Sequence, residues 1–282
     1  MAISKELEPL SLKQTRALLQ MLVKSPKKKW GQNFLIDKNI VQKSLELAQL
    51  SPHENVIEIG PGLGTLTRPI LGKNCRLFAI ECDTILYHFL RDTFSNLPRF
   101  QIIPGDAVAQ PLAGFRNWNE PFKIVSNLPY HISTPWIDAV LEQPALPIAM
   151  TLMLQRETAL RLLSTHGSKK YSAISIFLTS AYRCVETFPV ARTSFSPAPQ
   201  VDSVLMQLEL LPLARIFKPG TKALIRKIFT QRRKQIASPL KIFASKYYEA
   251  IAALLRNRGF ETSIRPEQLP LAFWHALDEL GM

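Results

Sequence analysis

Residues 56–64 read Val-Ile-Glu-Ile-Gly-Pro-Gly-Leu-Gly, and no other stretch of the chain limits its fold as much. The apolar run of Val56, Ile57 and Ile59 stops at Gly60, Gly62 and Gly64, and Thr65 to Leu71 then reads as the start of a helix. Glycine has no side chain and tolerates positive φ, so a strand that ends on glycines and turns into a helix lets a ligand approach the backbone. This is the nucleotide-binding corner of a doubly wound α/β sheet.

The pattern downstream agrees with such a sheet. Strands are expected at 56–59, 76–80, 100–103, 123–126 and 148–154, with helices at about 83–94 and 134–141 and another after Leu154 that includes Glu157 and Arg161. Residues 171–181 read as a buried helix, and 182–188 and 203–210 as strands that pair at the sheet edge. Alternation of this kind implies a mostly parallel sheet with helices on both faces, and the carboxyl ends of its strands line one rim. Gly60, Glu81, Asp106 and Asn127 are expected to converge there.

Upstream, residues 11–23 form an amphipathic helix candidate, and Asp37 or Asn39 is placed to cap a helix running to about Leu50. Between them lies Pro26-Lys27-Lys28-Lys29-Trp30-Gly31-Gln32-Asn33-Phe34-Leu35, where lysines followed by aromatics suit phosphates and bases. After Leu211 the texture changes. Pro212 and Pro219-Gly220 interrupt the chain, and helices at 222–229, 241–255 and 270–280 carry Arg226, Lys227, Arg232, Arg233, Lys234, Lys241 and Lys246. The expected organisation is therefore an N-terminal extension (1–26), an α/β domain (27–211) and a small, basic, all-helical domain (212–282).

Bulk properties narrow the partners. The formal net charge of +13 points to a polyanion, most often nucleic acid. No apolar run is long enough to cross a membrane, and the N-terminus, with Glu6 and Glu8, lacks a signal-like stretch. Cys75, Cys82 and Cys184 form no CxxC pair, which argues against structural zinc or a disulfide framework and fits the reducing cytoplasm. No metal site is expected.

The rim residues carry the chemistry. Glu81 lies about twenty residues past the glycine turn, where a carboxylate accepts hydrogen bonds from both ribose hydroxyls. Asp106 is placed to accept from an adenine amino group. Glu58 can bond the loop amides, Cys82 reads as a packing residue and His131 as a solvent-facing turn residue. To this point a dinucleotide enzyme and an S-adenosyl-L-methionine enzyme both fit.

Asn127-Leu128-Pro129-Tyr130 separates them. An exocyclic adenine amine is a poor nucleophile because its lone pair is delocalised into the ring. The Asn127 side-chain carbonyl and a backbone carbonyl next to Pro129 can accept both amine hydrogens, which favours a pyramidal nitrogen facing an electrophile. Tyr130 offers a flat face on which an extruded base stacks. A sulfonium methyl donor is already activated, so the protein chiefly aligns the reactants.

With these motifs in view, the sequence resembles the ribosomal RNA adenine N6,N6-dimethyltransferases, most closely their bacterial small-subunit type. The resemblance runs from Lys29–Leu35 through Glu58–Thr67, Gly105-Asp106-Ala107, Asn127–Tyr130 and Ser194–Ser203 to Phe229–Lys234 and Arg265–Leu269. It departs after Lys234, where Gln235-Ile236-Ala237 replaces the family's usual Thr-Leu and a basic residue. The resemblance implies a Rossmann-like S-adenosyl-L-methionine-dependent methyltransferase sheet with Asn33, Leu35, Gly60, Glu81, Asp106 and Asn127 on the cofactor. It implies that Asn127, Leu128, Pro129 and Tyr130 form the target-adenine site, with Phe195 as a second aromatic wall and Arg232, Arg233 and Lys234 on RNA. The implied reaction dimethylates two adjacent adenosines in the hairpin loop near the 3′ end of 16S rRNA within the small ribosomal subunit, by a cytoplasmic monomer that also serves late subunit assembly. Competing readings are a 23S rRNA dimethyltransferase of the macrolide-resistance type, a non-catalytic ribosome assembly factor and, more remotely, a nicotinamide dehydrogenase.

Overall fold

The computed structural model describes residues 7–22 and 32–281 of the 282-residue chain. The expected Lys27-Lys28-Lys29-Trp30-Gly31 contact stretch lies outside the described residues. The chain divides into two compact units. The first takes the described residues up to Ala159 together with Arg183–Leu210, and the second takes Leu160–Tyr182 and the chain from Leu211 onward.

The first unit opens with α1 (Leu12–Met21), whose N-cap Ser11 forms a capping box with Gln14. Then come β1 (Phe34–Leu35), α2 (Lys38–Ala48), β2 (Asn55–Ile59), α3 (Thr67–Gly72), β3 (Arg76–Glu81), α4 (Thr84–Thr93), β4 (Phe100–Pro104), β5 (Phe122–Asn127), α5 (Ser133–Val140), β6 (Ala149–Gln155) and α6 (Arg156–Leu162). After α7 (Ala173–Ala181), the strands β7 (Tyr182–Val190), β8 (Phe195–Ser196) and β9 (Ser203–Leu210) complete the sheets. Aspartates start two of the helices: Asp37 accepts from the Asn39 N–H, and Asp83 from those of Ile85 and Leu86.

Seven strands lie in the order β4-β3-β2-β5-β6-β9-β7. β2 through β6 pair in parallel, and β9 runs antiparallel to β6. Every residue of central β2 is buried, whereas edge strand β4 is mostly part-exposed, as position in a covered sheet requires. The chain starts at β2, winds outward through β3 and β4, then crosses back to place β5 on the other side of β2. The strand order therefore reverses between β2 and β5, and a crevice opens beyond their carboxyl ends. A separate two-stranded ladder joins β1 to β8, with Phe34 opposite Ser196 and Leu35 opposite Phe195.

The second unit is helical, with α7, α8 (Pro219–Thr230), α9 (Ala237–Phe243), α10 (Tyr248–Asn257) and α11 (Leu271–Glu279). Its extent differs from a single break near 211, because Leu160–Tyr182 belongs to it. The reason is apolar surface. Helix α7 buries Ile174, Ile176, Phe177, Leu178 and Ala181, more than one stripe, so it supplies core to a unit otherwise short of it. Phe177 packs on Phe217 at 5.5 Å and Tyr171 on Phe229 at 5.8 Å between ring centroids.

Two expectations here change. The helix read at 241–255 is two helices, separated by a 3₁₀ turn at Ser245–Tyr247, because Ala244 leaves helical geometry at φ −144° and ψ 37°. The buried residues Leu240, Ala244, Ile251 and Leu255 keep a helical period across the break, so the sequence reads straight through it. Helix α8 also ends at Thr230, which leaves Arg232, Arg233 and Lys234 on the turn that follows.

Candidate active site

A cavity of about 380 Å³ opens at the reversal point, lined by the glycine loop, the ends of β3 and β5, and the residues around β1. The loop at the end of β2 shapes its floor. Gly60 and Gly62 have φ of 61° and 63°, the left-handed region that L side chains avoid. Space requires glycine there too. A Cβ on Gly60 would stand 3.1 Å from Pro129 Cγ, and one on Gly62 would stand 3.3 Å from Phe34 Cε1. Pro129 and Phe34 can press against the loop only because these side chains are missing.

Glu81, the last residue of β3, is 4% exposed and holds the loop from the other side. Its Oε2 accepts the Gly62 N–H at 3.0 Å and its Oε1 accepts the Asp83 N–H at 2.9 Å. Burial raises its pKa, and those two amide hydrogen bonds pull the other way. Glu58, one residue before the glycine turn, accepts the Thr67 hydroxyl at 2.7 Å. Burial, with a smaller push from the Glu81 charge, lifts it to about 8 against the Thr67 bond. Asp106 is exposed at the mouth, its Oδ1 accepting the Val108 N–H at 2.8 Å. Neither Lys nor Arg is among the described residues lining the cavity.

The opposite wall is Asn127–Tyr130. Ser126 Oγ donates to the Ile59 carbonyl at 2.8 Å, which ties the end of β5 to the end of β2. Asn127 Nδ2 donates to the Asn33 carbonyl at 3.3 Å, so its oxygen remains as the acceptor it can offer a ligand. The Pro129 carbonyl accepts from the Ile132 N–H at 3.1 Å and Ser133 Oγ at 3.2 Å, which leaves the Leu128 carbonyl as the second acceptor in the stretch. The Tyr130 ring lines the cavity, and its hydroxyl pairs with Ser203 Oγ at 2.7 Å.

Asn33, Leu35, Gly60, Glu81, Asp106 and Asn127 thus all line one cavity, together with Leu128, Pro129 and Tyr130. Phe195 does not. It is 2% exposed, opposite Leu35 in the β1–β8 ladder, and packs in the core with Leu45 and Leu205, so it forms no second aromatic wall. Sequence reading also missed Ser203 as the partner of Tyr130, Thr67 as the partner of Glu58, and Gln32, whose Nε2 donates to Asp83 at 3.3 Å. Only proximity in the fold reveals these pairs. Helix α1, which the sequence left without a role, contributes Leu19 to a small cluster with Phe34, Leu63 and Leu86, all of which line the cavity. Cys82 also lines it, but burial first, and then the Glu81 charge, push its thiol up to about 11, where it stays protonated.

The basic cluster of the second unit is not uniform. Arg232 Nη1 donates to the Lys169 carbonyl at 2.7 Å, and its Nε lies 3.9 Å from Glu267, so Arg232 ties its own unit together. Arg233 and Lys234 are exposed. Among the described residues no group of three or more His, Cys, Asp or Glu is placed to hold a metal ion.

Comparison with known proteins extends over most of the chain. Residues 23–258 match the family described as "Ribosomal RNA adenine dimethylase". The ribosomal RNA small subunit methyltransferase A of Opitutus terrae is 45% identical over 274 residues, 95% of this chain and 98% of the relative. That of Natranaerobius thermophilus is 35% identical over 280 residues, 92% of each. Among solved structures, a dimethyladenosine transferase from Plasmodium falciparum matches with a TM-score of 0.73 at 22% identity, over 86% of this chain and 95% of its own, a likeness of fold. The 23S rRNA methyltransferase ErmE matches with a TM-score of 0.62 at 26% identity, over 88% of this chain and 98% of its own.

Proposed function

The chain belongs to the ribosomal RNA adenine dimethylase family, and from that premise we propose that the cavity between β2 and β5 is where it methylates adenine N6. The protein is an rRNA adenine dimethyltransferase of the small ribosomal subunit. The finer reading is that it takes its methyl groups from S-adenosyl-L-methionine and delivers them to two adjacent adenosines in the hairpin loop near the 3′ end of 16S rRNA. It acts as a cytoplasmic monomer with a second part in late small-subunit assembly. No helix among the described residues is long and apolar enough to cross a membrane.

The observation that carries this reading is the convergence of Gly60–Gly62, Glu81 and Asn127–Tyr130 on one cavity. The donor set suits the cofactor. Glu58, Glu81 and Asp106 face a space with no Lys or Arg in its lining, which favours a ligand bearing a sulfonium and disfavours the pyrophosphate of a nicotinamide dinucleotide. Glu81 would hold the ribose, since each carboxylate oxygen keeps a lone pair beyond its amide bond. Asp106 would hold the adenine amine, and Asn33, Leu35 and Gly60 the remaining surface. When bound, the cofactor supplies a methyl group already activated on sulfur.

The remaining work falls to the chain. Tyr130 stacks the extruded adenine. The Asn127 oxygen and the Leu128 carbonyl accept the two N6 hydrogens, turning the lone pair out of the ring plane, and Pro129 fixes the turn that presents both. The nitrogen sheds its proton only after the C–N bond forms, so no strong base is needed beside it. In the second unit the exposed Arg233 and Lys234 take the RNA phosphates, while Arg232 holds the turn that presents them.

The test is transfer of labelled methyl groups to undermethylated small subunits and, separately, large subunits, with nucleoside analysis of the product. Dimethyladenosine in small-subunit RNA is the expected result. Label confined to large subunits would support the 23S reading that the likeness to ErmE favours. No label in either would overturn the enzymatic reading and leave the assembly factor.

A further inference from the structure

We propose that Ser203 is a positioning residue for the target base, acting by locking the ring of Tyr130 through a buried hydroxyl pair. The inference rests on the proposed role of Tyr130 as the stacking face.

A tyrosine ring is a useful platform only if its plane is fixed. Two side-chain torsions set that plane, and Tyr130 stands on the turn after β5, where no ladder holds it. What holds it is Ser203, whose Oγ lies 2.7 Å from the phenol oxygen across 73 residues of sequence. Ser203 is 1% exposed and is not among the residues lining the cavity. It therefore cannot reach the ligand itself. It is also a rigid anchor, since it opens β9 opposite Gln155 of β6, and its neighbour Asp202 accepts the Arg156 N–H at 3.0 Å.

The pair sits at the end of a strap. Near its start the Ser194 carbonyl accepts the Ile36 N–H at 2.9 Å, Ser194 Oγ donates to Asp37 at 3.1 Å, and Phe195 lies opposite Leu35. The Asp202 carboxylate accepts the Arg192 N–H at 3.1 Å and closes the strap on itself. One segment thus ties the cofactor wall at Leu35 to the base wall at Tyr130. The sequence placed an aromatic wall in this segment. The structure buries that aromatic and leaves a hydroxyl touching the wall that Tyr130 already provides.

The test compares the full-length protein with Ser203→Ala, Ser203→Thr, Tyr130→Phe and the Ser203→Ala/Tyr130→Phe pair. Readouts are kcat/KM on undermethylated small subunits, affinity for S-adenosylhomocysteine, and quenching of 2-aminopurine placed at the target position of an RNA hairpin. Ser203→Ala is expected to lower kcat/KM by about 5- to 10-fold, the share of one hydrogen bond, and to weaken the quenching. Affinity for S-adenosylhomocysteine stays at the wild-type level, Ser203→Thr restores transfer, and the double variant loses no more than Tyr130→Phe alone. Unchanged kcat/KM and quenching in Ser203→Ala, additive losses in the double variant, or a parallel loss of S-adenosylhomocysteine affinity would each overturn the proposal. A wild-type protein that quenches without transferring methyl groups would overturn the proposed reaction instead, and the quenching would still decide the role of Ser203. Absence of quenching in the wild type would overturn both.

Discussion

At the amino ends of the strands, Glu54, Asn55, Arg76, Glu120 and Lys123 close on one another; at the carboxyl ends, Glu58, Glu81, Asp106 and Asn127 do not. Asn55 donates to Glu120 at 2.8 Å, Arg76 pairs with the same carboxylate at 2.9 Å, and Lys123 lies 3.0 Å from Glu54. A space of about 310 Å³ remains there, but the charges around it are already satisfied by their neighbours. At the other end, burial raises two carboxyl groups, and no Lys or Arg lines the cavity to offset them. A network that balances itself contributes to folding. One left short of positive charge in a protein of net charge +13 is arranged for something that arrives. Comparing the two ends separates groups that hold the sheet from groups that use it.

The contrast breaks most sharply at Asn127. Replacing Asn127 with Ala is expected to lower single-turnover methyl transfer by at least about 10²-fold, the scale of losing a preorganised hydrogen-bonding group at a reacting centre, with an unchanged melting profile. Near-normal dimethylation by that variant would remove the acceptor site from the account. Asn55→Ala is the counterpart at the other end. It leaves Glu120 and the Pro121 carbonyl short of a donor in a buried position, so stability is expected to fall by about 1–3 kcal/mol in denaturant titration, with kcat/KM unchanged.

A smaller effect is expected from Glu81→Gln, which puts an amide NH₂ against one of two backbone N–H groups. Calorimetry should show S-adenosylhomocysteine binding about 10-fold weaker. The smallest effect is one of pH. Glu58, lifted to about 8 from an ordinary 4.5, keeps a proton in the folded state that the unfolded chain has released. The stability it contributes is fully present below about 4.5 and is lost as pH rises through 8. Glu58→Gln carries no such proton, so its melting temperature should fall less than that of the wild type between those limits. Identical profiles would mean that Glu58 is ionised in the fold.

Much of the rim was legible in the sequence because its signals are local. A strand, a glycine turn and an acid at the end of the next strand are consecutive, and Asn127-Leu128-Pro129-Tyr130 directly follows its strand. What escaped is non-local. Phe195 reads as an aromatic near other site motifs, and only its place opposite Leu35, 160 residues earlier in the chain, shows that it is core. The hydroxyl that steadies Tyr130 comes from β9, and the core of the helical unit comes partly from α7, inserted between two strands of the other unit. The break at Ala244 was hidden for the opposite reason, since a local period continues through it. Arg232 looks like its neighbours in sequence but is committed to the Lys169 carbonyl.

The central claim, that the carboxyl end of the sheet takes the ligand while the amino end holds the fold, is tested most directly by amide hydrogen exchange with and without S-adenosylhomocysteine. Protection is expected at 58–65, 81–83, 105–108 and 127–131, with no change at 52–55 and 120–123. Protection at 52–55 and 120–123 in place of the rim segments would contradict it.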